Sequence, residues 1–195
     1  METLTNNYQL QALQTRAGTE TPYEDAQHAG FGLLTEVGEI LDTYKRHRFY
    51  KVPLDKKNLI EEVGDVLWYL SVGYHSLKKE MPDTPPVLME TKVEVDLDFL
   101  LAKIARSASN FFVIVMVNPD SWEDNYLNID LDNAYGYLSI FCEQELGVDI
   151  KEAAKANLEK LSKRYPGMSF SVEKALNRDV KNELSHIVES NNTGD

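Results

Sequence analysis

Apolar residues recur at helical spacing along most of the chain. Leu33, Leu34, Val37, Ile40, Leu41 and Tyr44 fall on one arc of a helical wheel, and Leu59, Ile60, Val63, Val66, Leu67 and Leu70 fall on the same arc of a second helix. The first of this pair is predicted to start at residue 23 or 26 and run to 47. The second covers 55–79, with Asp55 as its N-cap after Pro53. A short helix over 7–16 precedes them, followed by a Gly/Thr/Pro loop that ends at Pro22. Beyond the proline-rich break at 81–86, helices are predicted over 96–117, 131–146, 149–165 and 172–188. Asn118-Pro119-Asp120, Gly147 and Pro166-Gly167 punctuate them. The run Phe111 to Val117 is β-branched enough to leave a strand open at the end of its helix. The polar tail 189–195 is expected to be disordered. The fold class is therefore all-α, a helical bundle.

Composition narrows the choice of partners. An apolar content of 43% supports a core, while a formal net charge of −12 gives no footprint for a nucleic-acid backbone or an anionic membrane. Lys45-Arg46-His47-Arg48 is a short local cluster that complements the end of its helix. A phosphate ligand must then be met at a focused site or through a metal. The most apolar stretch, Phe99 to Val117, carries Lys103, Arg106 and Asn110 and is expected to be too interrupted to span a bilayer. Residues 1–6 lack the basic start and apolar run of a secretory signal. The single cysteine, Cys142, has no partner for an internal disulfide and sits in an apolar run, so a buried thiol in a reducing cytoplasm is expected.

The chemistry lies in a doubled acidic pattern. Leu33-Leu34-Thr35-Glu36-Val37-Gly38-Glu39 repeats as Leu59-Ile60-Glu61-Glu62-Val63-Gly64-Asp65, so Glu36 corresponds to Glu62, Glu39 to Asp65 and Gly38 to Gly64. Both carboxylate pairs lie on the same border of the apolar arc, and both are about equally far from the connecting loop near residues 50–53. Folding the two helices back antiparallel brings the pairs level to within roughly one 5.4 Å turn. All four carboxylates are then expected to meet, with Gly38 and Gly64 letting the backbones approach. Two carboxylates about 6 Å apart repel by roughly 3 kcal/mol at an effective dielectric of 20. A half-buried cluster therefore needs protons or a cation. Oxygen donors without His or Cys favour Mg²⁺, with Mn²⁺ as a substitute, and leave positions for water and phosphate. Either acidic pair alone reads as an ordinary exposed helix face. The shared frame, border and glycines argue for a site, and Glu61 turns further toward solvent.

These residues resemble the MazG-type all-α nucleoside triphosphate pyrophosphohydrolases, whose signature is E-x-x-E, a spacer and E-x-x-D. The resemblance is carried by residues 28–39 and 61–70, by Tyr8-Gln9-Leu10-Gln11, and by the segment 156–165 before Pro166, which is similar to that family's closing N-x-x-K-L-x-x-R-Y-P. It implies a catalytic domain over 1–170, with 80–133 inserted within it, followed by a C-terminal helix and tail over 171–195. It also implies Mg²⁺-dependent cleavage of a (deoxy)nucleoside triphosphate into monophosphate and pyrophosphate, and a homodimer. Glu36, Glu39, Glu62 and Asp65 would hold the metal, with Glu36 or Glu39 orienting the water. Asn157, Lys160 and Arg164 form one helical stripe placed to reach phosphate or base, and Trp68, one turn beyond Asp65, is placed to stack on a base. His28 reads as a cap or a polar contact. Three alternatives remain at this level: a dUTP, dCTP or phosphoribosyl-ATP specificity, a non-catalytic acidic interaction module, or a di-iron bundle. The last usually needs E-x-x-H pairs, which are missing from these two helices.

Overall fold

A computed structural model describes residues 4–87, 94–122 and 126–176, and among these all regular structure is helical. The first helix, α1 (Leu4–Gln14), leads to α2 (Pro22–Tyr50), whose start is fixed by a capping box. Thr21 Oγ1 accepts from the Glu24 N–H at 3.2 Å, Glu24 Oε2 accepts from the Thr21 N–H at 2.9 Å, and Pro22 takes the first turn. Lys51, in the left-handed region at φ 59°, ends α2. Asp55 then caps α3 (Lys56–Ser76) by accepting from the Asn58 N–H at 3.1 Å, as its position after Pro53 predicts.

α2 and α3 form an antiparallel hairpin, with contacts whose numbering runs in opposite directions on the two helices. His28 packs edge-on against Tyr69, and Asn58 Nδ2 donates to Thr43 Oγ1 at 3.3 Å. Leu33, Val37 and Ile40 meet Leu59, Val63, Val66 and Leu70 in one buried core. The close approach of this pair is made at Gly32, where an added Cβ would lie 2.0 Å from the Tyr69 ring. Gly38 faces open space, and Gly64 is tight against Asn157 of a later helix. The repeated glycines therefore do not perform the hairpin role expected of them, because only the α3 side of the repeat is covered by another helix.

α4 (Leu97–Val117) packs against α2 and α5 (Leu127–Phe141). The run 111–117 is helical to its end. Phe111 and Val115 are buried, and this packing overrides the β-propensity of the run. Contrary to expectation, α4 is long and apolar enough to cross a membrane, with a mean hydropathy of 1.6 over its most apolar window. A third of that window is buried, 33%, and Arg106 and Asn110 are on the exposed side.

The end of α5 runs on into a π-helical turn, Cys142–Leu146, closed by Gly147 at φ 76°. Cys142 is buried, and burial raises its thiol above the ordinary range. α6 (Ile150–Arg164) starts with a capping box between Asp149 and Glu152 and lies on α3 and α1. A short α7 (Val172–Leu176) follows. The predicted remainder of that helix to residue 188 and the tail 189–195 lie outside the described residues, as do residues 1–3 of the amino-terminal segment.

Candidate metal centre and cleft

The hairpin brings one oxygen each of Glu36, Glu62 and Asp65 within 4.8 Å of one another, and all three side chains are half-buried. Glu39, one turn beyond Glu36, is exposed and stands outside this group. The asymmetry comes from α6, which packs over Gly64 and seats Asp65 from below. The matching position on α2, Gly38, has no helix over it, so Glu39 beside it faces solvent.

The stripe of Asn157, Lys160 and Arg164 divides in two. Asn157 and Lys160 are buried, 3% and 1% exposed, and both hold Asp65. Lys160 Nζ donates to the two Asp65 oxygens and, at 3.3 Å, to Glu61 Oε1. Asn157 Nδ2 donates to Asp65 Oδ1 at 2.9 Å, and Asn157 Oδ1 accepts from the Tyr8 hydroxyl at 2.9 Å. Tyr8 is fully buried and ties α1 into the same network. Glu61, expected further toward solvent, has a side chain only 9% exposed and belongs to this ion-paired layer.

One ammonium does not neutralise the cluster. The Glu62 carboxyl is pushed up to about 8, chiefly by burial and then by the charges of Asp65, Glu61 and Glu36, against which Lys160 acts only in part. Glu36 is raised too, by burial first and Asp65 next. At neutral pH Glu62 thus retains its proton, within hydrogen-bonding reach of Glu36. The Glu62 proton and the Lys160 ammonium thus offset part of the cluster's charge.

The cluster opens into a cleft of about 330 Å³ lined by Glu36, Asp65, Trp68, Tyr69, Arg164 and Tyr165, among others. One wall is aromatic. Trp68 and Tyr69 have ring centroids 4.8 Å apart, and His28 stands 5.7 and 5.5 Å from them. Burial lowers the His28 pKa, favouring the neutral imidazole. Trp68 is held in place by its own N–H, which donates to Thr15 Oγ1 at 2.9 Å and to the Ala12 carbonyl at 3.1 Å. Sequence reasoning found Trp68 and Arg164 but missed Tyr69 and Tyr8. Tyr69 directly follows Trp68, and Tyr8 opens the motif at 8–11, where Gln9 clips α1 to α3 by donating to the Ser71 carbonyl at 3.2 Å. These positions carried a signal that periodicity alone did not rank.

The donor set fits a hard divalent cation. Octahedral Mg²⁺ with bonds of about 2.1 Å sets its oxygen ligands roughly 3–4 Å apart, so a 4.8 Å group closes by small side-chain rotations. The absence of nitrogen and sulfur donors from the group disfavours zinc. Comparison with protein-family models, curated proteins and solved structures finds no match for the chain. The functional reading therefore stands on the residues themselves.

Proposed function

We propose that this protein is a Mg²⁺-dependent pyrophosphohydrolase of the MazG-like all-α kind, cleaving a (deoxy)nucleoside triphosphate between its α- and β-phosphates. The observation that carries the reading is the convergence of Glu36, Glu62 and Asp65 beside an aromatic-walled cleft that Glu36 and Asp65 line. The resemblance over the core helices and the 156–166 segment supports it. Glu36, Glu62 and Asp65 would hold the ion, with Mn²⁺ as a substitute. Bound Mg²⁺ supplies phosphate charge neutralisation and a more acidic water.

The chain's own groups supply the rest. Glu36, which lines the cleft, is the better placed of the two candidate bases to orient and deprotonate the attacking water. Lys160 and Asn157 hold Asp65 in place, and Arg164, which also lines the cleft, meets phosphate oxygens. Trp68, Tyr69 and His28 offer flat faces and edges for a base. The reading includes a homodimer in the cytoplasm, and exposed Phe31, Val113 and Val117 provide apolar surface for such contact.

The test is a panel of nucleoside triphosphates with Mg²⁺ and product analysis. Monophosphate plus pyrophosphate is expected, and Asp65→Ala, which lowers the thermal midpoint by leaving Lys160 with Glu61 alone, should abolish turnover at temperatures where it stays folded. Diphosphate plus phosphate as products, or turnover unchanged in Asp65→Ala, would reject the assignment.

A further inference from the structure

Where the hairpin turns back, about four helical turns along α2 from Glu36, a second cleft of about 870 Å³ opens beside α4. Its apolar wall is formed by Leu41, Leu54, Leu97 and Leu101. Tyr44 lines it as well, 7% exposed, and its hydroxyl is a buried side-chain polar atom with no hydrogen-bond partner among the described residues. Native interiors rarely leave such a group unsatisfied. Its ring packs edge-on against Phe141 at 5.8 Å, which holds the hydroxyl in place. Glu145, on the π-helical turn, lines the same cleft, and its charge acts on the Tyr44 hydroxyl. Burial, with that charge, keeps the phenol protonated and therefore a donor.

The rim does not favour an ion. Arg48 Nη1 meets both Asp98 oxygens at 2.5 and 2.7 Å, and Lys45 pairs with Asp42. Lys51 Nζ donates to the Arg48 carbonyl at 3.0 Å. The cations of the lining, Lys45, Arg48 and Lys51, are matched by the acids Asp96, Asp98 and Glu145. A hydroxyl is the group that both accepts from a phenol and donates to a carboxylate. The volume falls within the roughly 300–1,000 Å³ usual for small-molecule sites.

We propose that this cleft binds an uncharged, mainly apolar small molecule bearing a hydroxyl, which accepts a hydrogen bond from Tyr44 and donates one to Glu145. The site is separate from the carboxylate cluster and does not depend on what that cluster does.

The experiment compares 2-naphthol with 2-methylnaphthalene, of the same shape without the hydroxyl, by calorimetry and by amide shift mapping on the full chain at pH 7. Wild type should bind 2-naphthol about thirtyfold more tightly, the value for two net hydrogen bonds at about fivefold each. Tyr44→Phe should cut that preference to about fivefold, the part Glu145 supplies, without lowering the thermal midpoint, since the lost hydroxyl had no partner among the described residues. Leu54→Trp should block both probes. If a variant fails to fold, the wild-type shifts still decide: perturbations should centre on Leu41, Leu54 and Leu97. Equal affinity for the two probes, a preference undiminished by Tyr44→Phe, shifts centred elsewhere, or no binding up to probe solubility would each overturn the proposal.

Discussion

Lys160→Met removes a charge while keeping most of the side-chain volume. In the native protein this ammonium is 1% exposed and touches both Asp65 oxygens as well as Glu61. Breaking a buried ion pair from one side costs about 3–5 kcal/mol, because the remaining charge is left uncompensated. Asp65 keeps 20% of its side chain exposed at the cleft, so solvent returns part of that and leaves about 2–3 kcal/mol. For a chain of this size each kcal/mol lowers the thermal midpoint by about 2–4 °C, so a fall of roughly 5–10 °C is expected. The assay is calorimetric unfolding at pH 7.5 with a chelator present. Two further measurements identify the cause. Asp65→Asn on the Lys160→Met background should recover more than half of the loss, because the uncompensated charge goes with it. Millimolar Mg²⁺ should raise the midpoint of Lys160→Met more than that of wild type. A fall below about 1 °C, or a loss that Asp65→Asn leaves untouched, would refute the view that Lys160 compensates the charge of Asp65.

The pH response follows from Glu62. Its carboxyl ionises near 4.5 in the unfolded chain but stays protonated in the folded one until about 8. Between those values the folded state binds the additional proton, so metal-free stability falls as pH rises through this window. Glu62→Gln should flatten the slope in unfolding scans from pH 5 to 8, and an unaltered slope would remove Glu62 as its source. The glycines give a paired contrast. Gly32→Ala drives a methyl to 2.0 Å from the Tyr69 ring and should destabilise by about 1–3 kcal/mol. Gly38→Ala enters open space on a helix and should stabilise by about 1 kcal/mol. Denaturant midpoints of equal sign for the two would contradict the packing described here.

The hairpin was legible because its apolar arcs, the Asp55 cap and the matched acid spacing all point to one register. What the repeat could not tell is that its halves have different neighbours. Glu39 and Asp65 are equivalent by pattern, yet only Asp65 lies under α6, and a docking partner far away in sequence leaves no trace in local periodicity. The same reason explains Asn157 and Lys160. Their stripe beside the apolar arc of α6 was visible, whereas their burial against α3 was not. Tyr44 was counted as one more apolar position, and the basic residues after it as a helix end, because a phenol's lack of a partner shows only in three dimensions. For α4, Arg106 and Asn110, read as interruptions of a span, lie on the outer side of a helix whose other side fills the core.

Lys160 also bears on the order in which the molecule assembles. It lies 95 residues from Asp65 in sequence, whereas α2 and α3 are joined by a short turn and can pair early. A chain that has completed the hairpin but not α6 therefore carries its clustered acids without their ammonium. At that stage protons or divalent ions are the available counter-charge, so refolding should be fastest in mildly acidic or magnesium-containing buffer. Among the described residues the last long helix in the sequence thus brings the positive charge that offsets acids of the earlier half.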